Sequence, residues 1–270
     1  NLEAVSAAEP NWKIRLLNTP NDPRYTECWG LHNTGQTGGT ADADIDAQEA
    51  WDISIGSFDV VVAVLDTGVD YNHPDLAANM WTNEDEIPGN GEDDDGNGYV
   101  DDVRGWDFEH EINDPMDDYG HGTHCAGTIG AAGNNGAGVA GVNWRVTIMP
   151  LRIIGDQDLE AYCLDAAEGI QYAVDNGARV MSCSWWTVEH YSQTLEDAVA
   201  YADQHDVFVV AAAGNDSTND DDPGYDHWPS EWPYPNIIAV AATNHTDNIA
   251  YFSNYGPTTV DVGAPGLDIL

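Results

Sequence analysis

The stretch that decides the fold runs from residue 59 to residue 68 and reads Asp-Val-Val-Val-Ala-Val-Leu-Asp-Thr-Gly. Its β-branched residues follow one another without a polar interruption, which is typical of a strand covered on both faces. The run ends in Asp66-Thr67-Gly68, so a carboxylate lies at the strand tip and the glycine permits a tight exit. Taken alone, an aspartate at such a place is more often a turn or cap residue.

Strand and helix patterns alternate along the rest of the chain. Further strands are predicted at Val146 to Leu151, Arg179 to Ser184, Val207 to Ala212, Ile237 to Ala242 and Thr259 to Val262. Helices are predicted at His121 to Ala132, along an apolar stripe of Leu164, Ala167, Ile170 and Val174 that ends at Gly177, and at Tyr191 to His205. Repeated β-α-β order favours one α/β domain with a mostly parallel sheet between helix layers. Functional residues in such a sheet gather beyond the carboxyl ends of the strands.

Charge is the strongest compositional signal, because 48 acidic residues face 7 basic ones and give a formal net charge of −41. Nucleic acid would be repelled. High salt, with a screening length of roughly 3 Å at 1 M, or bound divalent cations would relieve the self-repulsion. No apolar run approaches the roughly 18 residues of a membrane span, so no membrane partner is expected, and no secretion signal opens the sequence.

The four cysteines are widely spaced and form no paired zinc-ligand cluster. They allow three connectivities if all are paired. Cys125 and Cys183 fall inside apolar segments, where a free buried thiol is the commoner state. An extracellular setting permits a disulfide without requiring one, so the pairing stays open.

Two more clusters follow the predicted elements. The segment Gly120 to Gly127 reads Gly-His-Gly-Thr-His-Cys-Ala-Gly and opens a predicted helix, whereas Ala211 to Asn215 reads Ala-Ala-Ala-Gly-Asn and ends a predicted strand. Each is weak evidence alone, since a histidine at a helix start is usually a satisfied polar residue and an asparagine after a strand is usually a turn former.

In this order, the Asp-Thr-Gly, His-Gly-Thr-His and Ala-Ala-Gly-Asn motifs resemble the subtilisin-like serine protease family of the bacterial or archaeal secreted type. The stretches Trp29 to Gln36, His73 to Leu76, Gly138 to Val142 and Phe252 to Gly256 are similar too. The resemblance extends from about Asn21 onward. It implies a three-layer αβα sandwich, C-terminally incomplete, and a secreted, monomeric endopeptidase that acts on proteins or peptides.

The resemblance also implies roles for the motif residues. His121 would be the general base, Asp66 would orient it, and Asn215 would donate its amide to the oxyanion. The substrate cleft would be lined by Ser184, Trp185, Trp186, Ala213 and Gly214. A glycine is usual in the family where Trp186 stands, so the indole is expected to narrow the pocket or to turn outward.

The family's nucleophile is not found in this sequence, because no Gly-Thr-Ser occurs up to Leu270. Residues 20–270 would therefore be a peptidase domain that lacks the nucleophile segment, and the chain would be inactive by itself. Residues 1–19 would be a remnant of the inhibitory propeptide, since Glu9 to Trp12 resembles its tail and Pro20 to Pro23 resembles a mature amino terminus. The chain's own propeptide is thus an expected partner; a leader without significance is the rival interpretation.

An EF-hand-like calcium loop is indicated between the acid and the base. It would offer oxygens from Asp93, Asp95, Asn97, Tyr99 and Asp101 at loop positions one, three, five, seven and nine. Position twelve is Arg104 instead of glutamate, so Asp102 is expected to supply the closing ligand. The rival interpretation is a solvated acidic loop.

A second calcium site is implied by the family resemblance. Its expected ligands are Asp75, Asn135 and the carbonyls of Ala137 and Val139, with an ordinary asparagine-glycine turn as the alternative. The acidic segment Asp216 to Asp222 lacks ligand spacing and is predicted to be a solvated loop.

Two other classes of function remain beside the endopeptidase. One is a catalytically dead relative, or a zymogen-like fragment, that binds peptides. The other is a metal hydrolase with His121 and His124 as ligands at spacing i, i+3, although the glutamate-containing helix of zinc proteases is absent from the sequence.

Overall fold

A sheet of seven parallel strands forms the centre of the molecule. The structure is a computed structural model and describes residues 18–155, 159–187, 191–224 and 226–270. Its strands are β1 (Gly56–Asp66), β2 (Trp106–Asp107), β3 (Arg145–Arg152), β4 (Val180–Cys183), β5 (Phe208–Ala212), β6 (Ile237–Thr243) and β7 (Val262–Pro265). They lie in the order β2-β3-β1-β4-β5-β6-β7, so β1, β4 and β5 are neighbours and their carboxyl ends meet at one edge.

Helices cover the sheet on both faces, which confirms the αβα sandwich with a parallel sheet. The helices are α1 (Ala47–Trp51), α2 (His121–Gly130), α3 (Cys163–Asp175) and α4 (Gln193–Gln204), with 3₁₀ turns at Tyr25–Glu27 and Ala77–Asn79. Alternate β1 side chains point to opposite layers. Ala63 and Leu65 pack in one core cluster with α3 and α4, whereas Val62 and Val64 pack in another with Ala126 of α2.

The sheet face that α2 packs against is covered unevenly. β1 residues 62–66 are buried, so the prediction of a strand covered on both faces is confirmed there, but it was wrong for residues 59–61, which are exposed or half-buried. On the same face, Val210 of β5 and Ile238 and Val240 of β6 stay only partly buried. The α2 side of β5 and β6 is therefore an apolar surface that the described residues leave partly open.

Two predicted elements differ from the structure. Leu164, predicted on the buried stripe of α3, is 55% exposed, because the buried face begins one turn later at Ala166 and Ala167. The last strand is Val262–Pro265, not Thr259 to Val262. The Asp221 carboxylate accepts hydrogen bonds from Thr259 and its neighbour and so holds that segment in a turn.

Cys28, Cys125, Cys163 and Cys183 are free thiols in the structure. Of the two predicted to be buried, Cys183 is buried and Cys125 is half-buried. No helix among the described residues is both long and apolar enough to span a bilayer.

Candidate active site

The carboxylate at the tip of β1 and the histidine that opens α2 lie in direct contact. The Nδ1 atom of His121 is 2.7 Å from Oδ1 of Asp66, which also accepts the Thr67 amide at 2.8 Å. The Asp66 side chain is 1% exposed and that of His121 is 47% exposed. A buried anion therefore orients the ring and leaves Nε2 as the nitrogen for chemistry at the surface.

The neighbours of His121 raise its pKa above the ordinary value. The main cause is the hydrogen bond to Asp66, and a second is the Cys125 thiol, whose Sγ lies 3.9 Å from Nδ1. Because the carboxylate stabilises the imidazolium, a proton taken up by His121 would be held firmly.

One carboxylate connects the strand that carries Asp66 to the helix that carries His121. Asp117 accepts hydrogen bonds from the Thr67 hydroxyl at 2.9 Å, from the amides of Tyr119 and Gly120, and from the amide and hydroxyl of Thr123. Burial alone would raise the pKa of Asp117, but these hydrogen bonds outweigh it and lower the pKa. Asp117 was missed in the sequence, since a lone aspartate in a loop carries no signal.

The second residue of α2 must be a glycine for the pair to approach. A Cβ added to Gly122 would collide with the Gly68 carbonyl and lie 3.0 Å from Cβ of Asp66. Gly122 on the helix and Gly68 after the strand therefore allow the first turn of α2 to pack closely against the end of β1. This close packing explains why small residues surround His121 in the motif.

The remaining motif residues follow neighbouring strands. Ser184 comes directly after β4, and its Oγ is 3.6 Å from the Cys125 thiol, so it lies beside the Asp66–His121 pair. Asn215 comes three residues after β5 and is exposed. Its side-chain amide is therefore accessible at the edge of the sheet where the pair is found.

The predicted cleft residues fall into two groups. Trp185 lies in the hydrophobic core, where its Nε1 donates to the Leu65 carbonyl at 2.9 Å, so its ring does not line an open cleft. Trp186 is half-buried, with its ring centroid 6.4 Å from that of His227. Ala213 and Gly214 are buried, and a Cβ on Gly214 would meet His227 Cδ2 at 3.3 Å. His227 thus lies behind both Trp186 and Gly214, and no motif in the sequence pointed to it.

The predicted calcium loop brings three carboxylates together. Glu86, Asp95 and Asp102 each place an oxygen within 4.8 Å of the others, and Asp102 is fully buried. The Asn83 amide donates to both Asp95 and Asp102 at 2.9 Å. Crowded carboxylates without a basic partner among the described residues repel one another unless a cation lies between them, so this donor set fits calcium.

The other predicted loop ligands have different partners. Asp93 accepts the amides of Gly96, Asn97 and Gly98, and so shapes the turn. Asp101 accepts the amides of Asn90 and Gly91. The side-chain amide of Asn97 donates hydrogen bonds to Asp95 and Asp102. The Tyr99 ring packs against the Tyr172 ring. Glu86 was missed because it lies seven residues ahead of the pattern.

Two buried aspartates define the second predicted calcium site. Asp75 accepts the Asn135 side-chain amide and the backbone amide of Val139, both at 2.9 Å, so the structure turns the N–H of Val139 toward it. The Ala137 amide donates to the Asn135 side chain. Asp22, missed in the sequence, accepts the backbone amide of Asn135 at 3.2 Å. Both carboxylates are buried beside one glycine-rich loop, which fits a hard cation.

Two other sequence interpretations change in the structure. The segment Asp216 to Asp222 is not simply solvated, because Asp220 is 5% exposed and pairs with His227. His124 is exposed, and the potential metal-ligand groups of the described residues that include His121 contain Asp66 and Cys125 instead. The pairing of His121 with His124 in a metal site is therefore not supported.

A buried carboxylate that holds one nitrogen of a half-exposed imidazole, beyond the carboxyl ends of a parallel sheet, is the arrangement of Ser-His-Asp hydrolases. Residues 57–269 match the Subtilase family, and the chain belongs to that family, whose members are serine endopeptidases.

Known proteins of this family align with most of the chain. It is 38% identical over 272 residues to the thermophilic serine proteinase of Bacillus sp. (strain AK1), covering 100% of this chain and 57% of that relative. It is 38% identical over 249 residues to thermitase of Thermoactinomyces vulgaris, covering 92% and 74%. Among solved structures, a protease of Pseudoalteromonas arctica PAMC 21717 superposes with a TM-score of 0.69 at 34% identity, covering 92% of this chain and 73% of that one.

Proposed function

We propose that this chain is the acid-, base- and oxyanion-bearing part of a secreted serine endopeptidase that hydrolyses peptide bonds in proteins. The observation that carries the proposal is the 2.7 Å contact between buried Asp66 and half-exposed His121. His121 would accept the proton of a serine hydroxyl through Nε2 and return it to the leaving amine, while Asp66 stabilises the imidazolium. Asn215 would donate its exposed amide to the oxyanion.

Residues 1–270 do not include the family's Gly-Thr-Ser nucleophile, so we expect no serine-route hydrolysis by this segment alone. A peptide-binding relative without activity is the alternative. Residues 1–19 would be what remains of an inhibitory propeptide; residues 1–17 lie outside the described part. The protein would act as a monomer, and its excess of 41 negative charges suits a salt-rich medium or bound cations.

Calcium is the proposed cofactor, as is common among subtilases. Glu86, Asp95 and Asp102 would hold one ion, with Asp93, Asn97, Tyr99 and Asp101 shaping its loop. Asp22, Asp75 and Asn135 would hold another beside Ala137 and Val139. An ion bound only by the native state would stabilise the loops that flank the active site.

The test uses this chain extended at its carboxyl end by a segment that contains Gly-Thr-Ser, with denatured casein as substrate. His121→Ala should abolish cleavage, and Asn215→Ala should lower turnover by about 10² to 10³. His124→Ala is the matched control, since His124 lies one turn along the same helix and should be dispensable. Full activity of the His121 variant, or a loss in the His124 variant equal to that in His121→Ala, would refute the assignment.

A further inference from the structure

A buried histidine surrounded by carboxylates lies behind Gly214, apart from the Asp66–His121 pair and the two proposed calcium sites. The His227 side chain is 4% exposed, and those of Asp220 and Glu231 are 1% and 11% exposed. Asp216 approaches from the solvent side. Because such groups are almost never buried without compensation, the cluster requires a source of positive charge.

The distances around one ring nitrogen match a metal coordination sphere. Nδ1 of His227 lies 3.4 Å from Oδ1 of Asp220 and 3.5 Å from Oε1 of Glu231, both longer than a well-formed N–H···O hydrogen bond. In a tetrahedral site with bonds of about 2.1 Å, neighbouring donor atoms are about 3.4 Å apart. The three donors all lie within 4.8 Å of one another.

The other ring nitrogen has the partner that a metal-bound histidine needs. Nε2 of His227 lies 3.2 Å from Oδ2 of Asp216. A histidine that ligates a metal almost always donates its second N–H to a carboxylate or carbonyl, which fixes the tautomer. With the proton on Nε2, the lone pair of Nδ1 faces Asp220 and Glu231, and a metal ion bound between them would satisfy all three groups.

The local backbone explains how the ligands meet. The Glu231 amide donates to the His227 carbonyl at 3.1 Å, so a helical turn places side chains i and i+4 on one face. Asp220 arrives from the preceding loop, where its own amide donates to the Tyr255 carbonyl at 2.8 Å. Glu231 Oε1 also accepts the His227 amide at 2.9 Å.

The charge balance supports the same conclusion. Within the described residues, the ion pairs of Asp216, Asp220 and Glu231 all go to His227. The group of Asp107, Glu109 and His110 differs, since buried Arg152 supplies its positive charge.

We propose that His227, Asp220 and Glu231 bind one divalent metal ion of the zinc class, with Asp216 orienting the imidazole. The ion would brace the loop before Asn215. His227 lies against Gly214, and the Asn254 amide, 3.3 Å from Nε2 of His227, donates to the Ala213 carbonyl at 3.0 Å. The site is separate from the proposed calcium ions and does not depend on peptidase activity.

The test is a titration of the calcium-saturated chain with Co²⁺, followed by visible absorption and then by competition with Zn²⁺. We expect one Co²⁺ per chain, with the intense visible bands of tetrahedral coordination, and a higher Tm when Zn²⁺ is added. His227→Asn should abolish the bands. Asp220→Asn and Glu231→Gln should each weaken binding at least about tenfold, in line with the loss of a ligand.

Two controls make the result specific. His205→Asn removes an exposed histidine whose ring bonds its own helix, and Cys125→Ser removes the thiol from the group that contains Asp66 and His121. Both should keep the spectrum unchanged. Absence of the bands in the wild-type chain, or bands that survive His227→Asn and Glu231→Gln alike, would overturn the proposal and leave His227 as an imidazolium bridging three carboxylates. If His227→Asn fails to fold, the stoichiometry of the wild type and the Glu231→Gln affinity decide.

Discussion

Asp117 provides a quantitative test of how the catalytic pair is held in place. In Asp117→Asn the remaining carbonyl oxygen can still accept from Thr67, Tyr119 and Gly120, but the new NH₂ group faces the amide and hydroxyl of Thr123, which lose their acceptor. Hydrogen bonds to a charged group contribute about 1.5–3 kcal/mol each, and a half-buried site reduces that value. We therefore expect the free energy of unfolding to fall by about 2–4 kcal/mol, which lowers Tm by roughly 4–16 °C in a chain of this length.

The effect has a defined pH dependence. Because hydrogen bonding lowers the pKa of Asp117 in the folded state, its carboxylate stabilises the fold above the unfolded pKa, and that contribution disappears as pH falls through the folded pKa. The Tm difference between wild type and Asp117→Asn should be full above about pH 5 and should shrink at lower pH.

The assay is thermal unfolding, followed by near-ultraviolet circular dichroism, from pH 7 downward. Asp118→Asn is the matched control, because it makes the same chemical change at the neighbouring residue. Its side chain is 61% exposed and pairs with Arg152, so we expect a loss of no more than about 1 kcal/mol. A loss of Tm in Asp117→Asn no larger than in Asp118→Asn, or one that is independent of pH, would refute the role of Asp117.

Two further predictions concern the helix start and the calcium loop. Gly122→Ala should cost about 1–3 kcal/mol in an unfolding titration because its Cβ would strike the Gly68 carbonyl, whereas Gly127→Ala, with open space on the same helix, should be neutral or stabilising. An equal effect of the two alanines would contradict the close approach. Excess chelator should lower the Tm of the wild type by mass action, and Asp102→Asn should shrink that shift while exposed Glu92→Gln should not. A chelator shift that is the same in both variants would argue against the loop site.

Local pattern was sufficient for much of the fold. The run before Asp66 has no polar interruption, and only a strand between two layers buries such a run, so both the strand and the place of its terminal carboxylate were predictable. Gly177 was correctly predicted to end α3, and it adopts a φ of +83°. The burial of Leu164 was wrongly predicted, because helical periodicity indicates which residues share a stripe but not where the covering sheet begins.

Contacts between distant segments were beyond the reach of the pattern. Asp220 lies in an acidic run that looks solvated. Its burial depends on His227 and on Asn254, which lies 34 residues after Asp220 in the chain. Glu86 completes the carboxylate group of the calcium loop from outside the motif. Trp185 reads as a cleft residue by analogy, yet the carbonyl of Leu65 in a neighbouring strand holds its ring in the core. Each case is decided by a tertiary partner that no sequence window contains.

The most direct test of the central claim is the titration of His121 by nitrogen-15 NMR in the 270-residue chain. A proton fixed on Nδ1 by Asp66, and a pKa well above 6.5 that falls toward 6.5 in Asp66→Asn, are the expected results. A His121 pKa at or below 6.5 that is the same in wild type and in Asp66→Asn would contradict the interaction of Asp66 with His121, and with it the proposed acid–base chemistry.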